Sequence, residues 1–316
     1  MDVRPLLWEK ALPKEVEIIE VGPRDGFQML PDFIDTVDKV RMIERLIQAG
    51  IQRMEVTSFV HPKAVPQMRD ASEVIQSVRR NGCQCFAMVP NLIGAERALE
   101  AGADMLNLVV SASESHNRCN VRRSIDESLR SFEAILDVAE GRGVRVRASI
   151  ATVFGCPFEG DVPIEGVLRV GRKLVEMGCV ELNLCDTTGM ANPRQVACVA
   201  RRVLEEFGDT RIAMHFHNTR GAGMANLLAA MQNGVASFET SFGGLGGCPF
   251  APGAAGNVCT EDAVHMLHEM GVATHIDLPR LLDAVGQAER LLDLTFPGQV
   301  IKAGRSCDLH PLPNAQ

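Results

Sequence analysis

The amino-acid sequence predicts an α/β protein folded as a single (β/α)8 TIM barrel. Eight short runs of apolar or β-branched residues alternate with segments of helical periodicity, and glycine often ends those segments. Uninterrupted alternation of this kind implies an all-parallel sheet, and eight parallel strands are the number that closes into a barrel. An open doubly wound sheet is the alternative. It is disfavoured because no Gly-x-Gly-x-x-Gly turn follows the first strand.

The strands are predicted from runs too short and too rich in β-branched residues to be helices. The first is sharply bounded, because Gly22 and Pro23 break it at its carboxyl end. The eight predicted strands occupy residues 16–21, 54–59, 85–89, 105–110, 144–150, 180–185, 212–217 and 237–241.

The helices are predicted from apolar stripes. The first helix is predicted over residues 36–50. Its apolar side chains recur at helical spacing from Val37 to Ile47, and the helix ends at Gly50. The other helices of the barrel are predicted near residues 67–80, 92–101, 125–140, 163–177, 193–207 and 222–233.

A glycine-rich loop, residues 243–257, begins just past the eighth strand. Its backbone freedom is costly in entropy, which favours a mobile lid or an anion-binding turn over the barrel mouth above a purely structural role. Helices at 261–270 and 278–292 are predicted to pack on the barrel as a C-terminal extension. We therefore expect one catalytic domain over residues 1–316, with the barrel at about 14–245 and the C-terminal helices at about 260–305.

Composition narrows the possible partners. The formal net charge of −8 and the lack of a basic tract argue against nucleic acid as a partner, although a local cluster can still bind a small anion. No apolar run is long enough to cross a bilayer, so no membrane partner is expected. The ten cysteines are irregularly spaced, and no secretion signal opens the sequence, so we expect reduced thiols and a cytoplasmic location.

The segment that organises the predicted site is 21–28 (VGPRDGFQ), where Arg24 and Asp25 follow the first strand. The carboxyl ends of barrel strands are where (β/α)8 enzymes do chemistry. A cation that can hold an anionic oxygen, beside a carboxylate that can hold a metal, favours an electrophilic site. A surface salt bridge at a turn is the alternative.

A second pair of polar residues, His215 and His217, lies at the end of the seventh strand. Residues two apart on a strand point to the same face, so the imidazoles are predicted to form half of a metal site. Two histidines that merely bind polar neighbours are the alternative. Barrel closure places the first strand near the seventh and eighth, and Asp25 would then complete the site.

Cys248, inside the glycine-rich loop, differs from the other cysteines because a mobile loop can carry it to the barrel mouth. A thiol that only packs against the loop is the alternative.

Taken together, these motifs make the sequence resemble the 3-hydroxy-3-methylglutaryl-CoA lyase family, a group of metal-dependent barrel lyases related to Claisen-type synthases. The resemblance runs from about residue 14 to about 305. The Arg-Asp and His-x-His elements are shared across the wider group, whereas the Gly-Gly-Leu-Gly-Gly-Cys-Pro loop is more specific to the lyases. The motifs that carry it are residues 21–28, 55–60, 62–63, 65–68, 215–217 and 243–257.

The resemblance implies a site built around a divalent cation. One carboxylate, one amide oxygen and two imidazoles suit an octahedral Mg²⁺ or Mn²⁺ better than a closed structural zinc. The implied ligands are Asp25, His215, His217 and Asn257.

Further residues match other parts of the family site. Arg24 matches the arginine that faces the thioester carbonyl, and Cys248 matches the lid cysteine. Glu55 and Asp186 match acidic residues that support the site, and Gln28 lies in the first motif as a candidate supporting or substrate-contacting residue.

The implied reaction is a metal-dependent retro-Claisen cleavage of a 3-hydroxyacyl-CoA thioester to acetyl-CoA and a keto acid such as acetoacetate. A base, His215 or Asp25, takes the proton of the tertiary hydroxyl. Arg24 stabilises the enolate oxygen, and Cys248 is a possible proton donor to the enolate carbon. Coenzyme A enters as part of the substrate, and the sequence does not identify the residues that contact its phosphates.

Departures from the common family pattern leave the acyl group open. Asn218 follows the His-x-His where aspartate is common, and Phe250 stands where tyrosine is frequent. Citramalyl-CoA or another 3-hydroxyacyl-CoA is therefore an alternative to 3-hydroxy-3-methylglutaryl-CoA. An acetyl-CoA-condensing synthase and a catalytically silent binding barrel are the less favoured alternatives. A homo-oligomer, a dimer by resemblance, is expected.

Overall fold

The structure, a computed structural model, describes residues 12–247 and 256–309. Its strands form a closed barrel in which each strand pairs in parallel with the next, and β8 returns to pair with β1. The predicted (β/α)8 barrel is therefore confirmed. Among the described residues, no helix is both long and apolar enough to span a bilayer.

The strands lie within about two residues of their predicted bounds. Their side chains alternate between the barrel interior and the surrounding helices, and both faces are buried, as expected for parallel strands covered by crossover helices. The strands are β1 (Glu17–Glu20), β2 (Arg53–Ser58), β3 (Gln84–Met88), β4 (Met105–Ser111), β5 (Arg145–Ala151), β6 (Glu181–Asp186), β7 (Arg211–Phe216) and β8 (Ser237–Thr240).

The helices of the barrel include each of those predicted. They are α1 (Thr36–Gln48), α2 (Ala71–Ser77), α3 (Leu92–Ala101), α4 (Glu114–Val121), α5 (Ile125–Glu140), α6 (Ile164–Glu176), α7 (Pro193–Phe207) and α8 (Gly223–Gln232). Among the described residues, three further helices follow β8: α9 (Thr260–Glu269), α10 (Leu278–Leu292) and α11 (Val300–Ala303).

Two details of the helices were not predicted. Helix α2 is shorter than the segment 67–80, because Pro66–Met68 forms a separate 3-10 turn before it. Helix α4 was missed because it is strongly polar and has no continuous apolar stripe. It is capped by Ser113, whose side-chain oxygen accepts a hydrogen bond from the backbone N–H of His116.

The barrel interior contains ion pairs that alternation alone did not predict. Arg147 of β5 is fully buried and pairs with Glu181 (2.8 Å) and Glu239 (2.5 Å). Arg53 of β2 pairs with Glu181 and Glu17, each at 2.8 Å. Buried charges need such partners, because a single unpaired ion in a dry interior costs several kcal/mol. The charged layer lies beneath the carboxyl ends of the strands and supports the residues above it.

The helices after β8 contact the barrel at its first helix. Helix α10 packs against α1, and the backbone N–H of Asp277 donates to the carbonyl of Ala49 at 2.8 Å. This contact passes close to Gly50, which has φ +104°, and a Cβ there would lie 2.5 Å from the carbonyl oxygen of His275. Glycine is thus required at the end of α1 by both conformation and space.

Glu20 and Glu261 are fully buried carboxylates at the base of the glycine-rich loop. Glu20 accepts hydrogen bonds from the backbone N–H groups of Gly22 (2.6 Å) and Phe242 (3.0 Å) and from the hydroxyl of Thr260 (2.6 Å). Glu261 accepts from the backbone N–H of Gly243 at 3.0 Å. Glu20 therefore ties the turn after β1 to the segment that follows β8, and Glu261 ties the start of that segment to α9.

Burial gives these acids a predictable effect on stability. It raises the pKa of Glu261 to about 8 and that of Glu20 to about 7, from an ordinary value of 4.5. Between 4.5 and those values the folded chain binds more protons than the unfolded chain, so their contribution to stability falls as pH rises. We expect Glu261→Gln to reduce the loss of unfolding free energy between pH 5 and pH 8, measured by urea denaturation.

The matched control is Glu269→Gln, at an exposed position of the same helix, α9. Its stability should follow the wild-type pH profile. An identical pH profile for wild type and Glu261→Gln would contradict the assignment of this titration to Glu261.

Candidate active site

Arg24 and Asp25 lie on a tight π-helical turn, Gly22–Gly26, at the carboxyl end of β1. The turn is held by the backbone N–H of Asp25, which donates to the carbonyl of Val21 at 2.7 Å. Gly22 has no room for a side chain, because a Cβ would lie 2.5 Å from the ring of Phe242. The chain therefore reverses direction immediately after the strand and presents Arg24 and Asp25 at the barrel mouth.

The structure brings Asp25 together with His215 and His217, which the sequence places about 190 residues away. One ligand atom from each of the three side chains lies within 4.8 Å of the others, and all three residues are buried. The two imidazole rings are 5.0 Å apart between centroids. Barrel closure accounts for this meeting, because β1 and β7 both flank β8.

Asn257 lies at the same point. It forms a backbone bridge with His217, and its side-chain Nδ2 donates to Asp25 Oδ2 and to the carbonyl of Leu245, each at 2.8 Å. The amide is thereby fixed in orientation. Its Oδ1 is buried and has no hydrogen-bond partner within the two described segments of the chain.

This donor set fits a hard divalent cation. Nδ1 of His217 and Oδ1 of Asn257 are buried polar atoms without a hydrogen-bond partner among residues 12–247 and 256–309. Orphaned buried atoms are costly, and a bound cation would satisfy ligand atoms of this kind. A carboxylate, an amide oxygen and imidazole nitrogens that leave positions for water or substrate suit Mg²⁺ or Mn²⁺.

The charges around Asp25 and His217 keep both side chains in the protonation states that bind a metal. Burial alone would raise the pKa of Asp25, but the nearby Arg24 guanidinium and the two imidazoles hold it below its usual value. Burial, with the neighbouring His215, lowers the pKa of His217 to about 3, so this ring is neutral at physiological pH. A charged carboxylate and a neutral imidazole are the forms that bind a metal.

His215 differs because it has a carboxylate partner that the sequence analysis missed. Its Nδ1 lies 3.0 Å from Oε2 of Glu239 on the neighbouring strand β8. Burial lowers the pKa of His215, but the hydrogen bond and charge of Glu239 outweigh it and raise the pKa above its usual value. Arg147 in turn forms an ion pair with Glu239 in the barrel interior. Glu239 therefore leaves Nε2 of His215 to face the site.

Arg24 bridges two carboxylates. Its guanidinium donates to Asp25 Oδ1 and to Glu55 Oε2, and it remains mostly buried. Glu55 also accepts from Nδ2 of Asn107 at 2.7 Å, and Gln28 Nε2 donates to Asp25 Oδ1 at 3.2 Å. Glu55 and Gln28 thus lie beside Arg24 and Asp25, and their hydrogen bonds fix the orientation of these two side chains.

Asp186 is placed differently from the other predicted residues. It ends β6 and accepts hydrogen bonds from the backbone N–H groups of Met190 (2.8 Å) and Ala191 (3.0 Å). Burial raises its pKa to about 6. Its contacts organise the loop that leads into α7, so it supports the site through the backbone.

A cavity of about 600 Å³ opens above these residues. Arg24, Asp25 and the two imidazoles line one side, and the polar helix α4 with the start of α5 lines another. Cys248 lies outside the described residues. Gly247, which precedes it within the glycine-rich loop, lines the cavity.

A closed parallel barrel that brings a cluster able to hold a cation and a buried arginine to the mouth of one cavity is typical of metal-dependent (β/α)8 enzymes. Such a site can bind an oxyanion-forming substrate, polarise it and exclude water. The chain belongs to the HMGL-like family, whose model matches residues 15–286. It is a carbon–carbon lyase, and the family depends on a divalent cation.

Comparison with known proteins agrees with this assignment. The hydroxymethylglutaryl-CoA lyase of Bacillus subtilis is 45% identical over 295 residues, which is 93% of this chain and 99% of that protein. The (R)-citramalyl-CoA lyase of Chloroflexus aurantiacus is 40% identical over 300 residues, covering 92% of this chain and 95% of that protein.

A solved structure is similarly close. An HMG-CoA lyase from Acinetobacter baumannii, in complex with coenzyme A and 3-methylmalate, superposes with a TM-score of 0.91 at 42% identity. The match covers 98% of this chain and 100% of that one. The predicted family resemblance is confirmed.

Proposed function

We propose that this protein cleaves a 3-hydroxyacyl-CoA thioester, 3-hydroxy-3-methylglutaryl-CoA or a close analogue, into acetyl-CoA and a keto acid. The observation that carries the proposal is the convergence of Asp25, His215 and His217 within 4.8 Å at the mouth of the barrel. The cavity above them is large enough for an acyl group and part of a pantetheine arm.

The residues proposed to hold the cation, Mg²⁺ or Mn²⁺, are Asp25, His215, His217 and Asn257. When bound, the cation lowers the pKa of the substrate's tertiary hydroxyl and orients the acyl group. The hydrogen bond from Asn257 to Asp25 keeps amide and carboxylate side by side, which supports their action as a pair.

Arg24 is proposed to bind the thioester carbonyl oxygen and to stabilise the enolate that develops there. Its guanidinium is held by Glu55 and Asp25, so it is oriented before the substrate arrives. An oriented cation in a buried site stabilises developing negative charge without reorganising during the reaction.

His215 is favoured over Asp25 as the base that takes the hydroxyl proton. The low pKa of Asp25 makes it a weak base, whereas Glu239 stabilises the protonated ring of His215. Because Glu239 occupies Nδ1, the proton is taken at Nε2, the same atom that would bind the cation. Nε2 of His215 would therefore act as a ligand before the substrate binds, and as the base only while the cation is held by Asp25, His217, Asn257 and the substrate oxygens.

Cys248 is proposed to give a proton to the enolate carbon once the glycine-rich loop covers the site. Its support is the position of Gly247 in the cavity wall, one residue before it in the chain. We also propose a homo-oligomer, on the family resemblance alone.

The substrate's acyl group has two candidates. The similarity to the citramalyl-CoA lyase of Chloroflexus aurantiacus, at 40% identity, favours citramalyl-CoA as the second candidate. Both candidates share a tertiary hydroxyl β to the thioester, so the same residues act on either.

The test is to incubate purified protein with both thioesters and to measure acetyl-CoA and the keto acid by liquid chromatography. We expect acetyl-CoA from at least one thioester, a loss of at least 100-fold on chelation by EDTA, and recovery on adding Mn²⁺ or Mg²⁺.

Three outcomes would each contradict part of the proposal. Cleavage that persists in full after chelation would show that the reaction does not require the cation. Absence of cleavage, with condensation of acetyl-CoA and a keto acid instead, would favour the synthase; absence of both would favour a silent binding barrel.

A further inference from the structure

The barrel interior contains a row of hydrogen-bonded side chains between the charged layer and the barrel mouth. We call this row the polar belt and define it by Asn107 of β4, Ser149 of β5 and Asn183 of β6, all of which are buried. Ser149 and Asn183 pair in register, and each lies two residues after a charged-layer residue, Arg147 or Glu181, on the same strand. Residues two apart on a strand share a face, so the polar belt forms the next layer of the interior.

The polar belt ends at Glu55 of β2. Nδ2 of Asn107 donates to Oε1 of Glu55 at 2.7 Å, and the hydroxyl of Ser149 donates to Oδ1 of Asn107 at 3.1 Å. Nδ2 of Asn183 in turn donates to Oγ of Ser149 at 3.2 Å. The other oxygen of Glu55, Oε2, accepts from Nε of Arg24. One continuous row of hydrogen bonds therefore leads from β6 to the arginine at the barrel mouth.

Each hydrogen bond in this row donates in the direction of Glu55. A carboxylate only accepts, so the amide of Asn107 turns its NH₂ group to Glu55 and its oxygen to Ser149. Because that oxygen also only accepts, the hydroxyl of Ser149 donates to it and is left to accept from Asn183. The charge of Glu55 thus sets the orientation of the whole polar belt, and aligned donors of this kind strengthen one another.

Glu55 needs these donors because it is fully buried. Burial raises its pKa above the usual value, and the charge of Arg24 and the hydrogen bond from Asn107 oppose that rise. Asn107 and Arg24 hold opposite oxygens of the carboxylate, so the group is fixed at both ends. Without Asn107, the carboxylate would be free to rotate, and the guanidinium that it orients would move with it.

We propose that Asn107 is a positioning residue for the cleavage reaction, because it holds Glu55 and Glu55 holds Arg24 toward the thioester oxygen. The inference rests on the proposed function and deepens it. Asn107 is absent from the described residues that line the cavity, so its effect on the reaction passes through Glu55 and Arg24. Negative charge develops on the thioester oxygen only during the reaction, so a loss of this orientation should slow turnover more than it weakens substrate binding.

The first test observes Arg24 directly, without substrate. Its Nε–H group should exchange slowly with water, and the signal can be followed by NMR of the arginine side chains and assigned by its loss in Arg24→Met. Asn107→Leu removes the donor to Glu55 and should speed this exchange at least about tenfold. The matched control is Asn233→Leu, at the half-buried end of α8, where Nδ2 donates to the carbonyl of Ala229 at 2.7 Å. It should leave the exchange of the Arg24 proton unchanged.

The second test is a double-mutant cycle on turnover. Asn107→Leu should lower kcat roughly tenfold, because a displaced catalytic group loses rate steeply, while KM and Mn²⁺ affinity stay within about threefold of wild type. Added to Arg24→Met, the same change should lower kcat by less than about threefold, because the side chain that Asn107 positions is gone. Ser149→Ala repeats both tests if Asn107→Leu prevents folding, since it removes the donor that fixes the Asn107 amide.

The results separate this inference from the proposed function. Exchange of the Arg24 proton that is unchanged in Asn107→Leu overturns only the inference, and so does faster exchange without a fall in kcat. An equal fall in kcat with and without Arg24 would also overturn it, because Asn107 would then act on the fold in general. If the wild-type protein cleaves neither thioester, the proposed function itself fails, whatever the exchange rates show.

Discussion

Replacement of Arg24 by methionine is expected to lower kcat roughly a thousandfold while the protein retains its cation. Arg24 is proposed to stabilise the enolate oxygen, and loss of one preorganised donor to such an oxygen typically costs 10²–10³ in rate. The cation would be held by other side chains, so its occupancy should stay within about threefold of wild type. Steady-state kinetics and Mn²⁺ binding, measured on the same preparation, provide the comparison.

The surroundings of Arg24 set the controls for this experiment. Its guanidinium is the partner of the fully buried Glu55, so Arg24→Met also leaves a carboxylate without its counterion and should lower the melting temperature. Arg79→Met makes the same chemical change at an exposed arginine that pairs with Glu44, and should affect neither rate nor metal. A parallel loss of activity and Mn²⁺ binding in Arg24→Met would mean that Arg24 organises the cation site instead.

The sequence predicted the parts of the site that follow from strand geometry. Asp25 follows a strand that Gly22 and Pro23 end, and His215 and His217 share one face of another strand. Closure of eight parallel strands then requires their carboxyl ends to meet around one mouth, whatever their separation in the chain. In the structure, one ligand atom from each of the three side chains lies within 4.8 Å of the others.

The residues that were missed depend on contacts between strands that a sequence does not specify. Glu239 lies in a short strand that is mostly polar, and strand periodicity assigns it a face but no partner. Its roles arise from register, because β7 pairs His215 with Glu239, and from Arg147, which reaches it across the barrel interior. Helix α4 was missed for a different reason. It lines the cavity with polar side chains, so it carries no apolar stripe to detect.

The charged interior connects the fold to the site. Arg147 pairs with both Glu181, near the amino-terminal end of β6, and Glu239, which contacts His215. A change at Arg147 would therefore leave Glu239 buried without its main counterion and would release the ring that Glu239 orients. Ion pairs that stabilise the barrel thus also fix the geometry of a proposed ligand, which explains why these charges lie so close to the catalytic mouth.

Replacement of His217 by alanine is expected to weaken cation binding at least 100-fold before it affects anything else. His217 is buried, its low pKa keeps it neutral, and its Nδ1 has no hydrogen-bond partner among the residues described. Removing a ligand of this kind leaves three donors and an open position for water. The dissociation constant for Mn²⁺, measured by calorimetry without substrate, should rise accordingly, and saturating Mn²⁺ should restore part of the activity.

The variant Glu239→Gln provides a comparison for the loss of Mn²⁺ affinity expected in His217→Ala. Glutamine keeps the shape of Glu239 but loses the charge that orients His215, and changes to groups that orient a ligand usually cost about 10–100-fold in metal affinity. We therefore expect Mn²⁺ binding to weaken in the order wild type, Glu239→Gln, His217→Ala, with circular dichroism showing that each variant is folded. Mn²⁺ affinity unchanged in His217→Ala, alongside a large fall in kcat, would place His217 on the substrate and not on the cation.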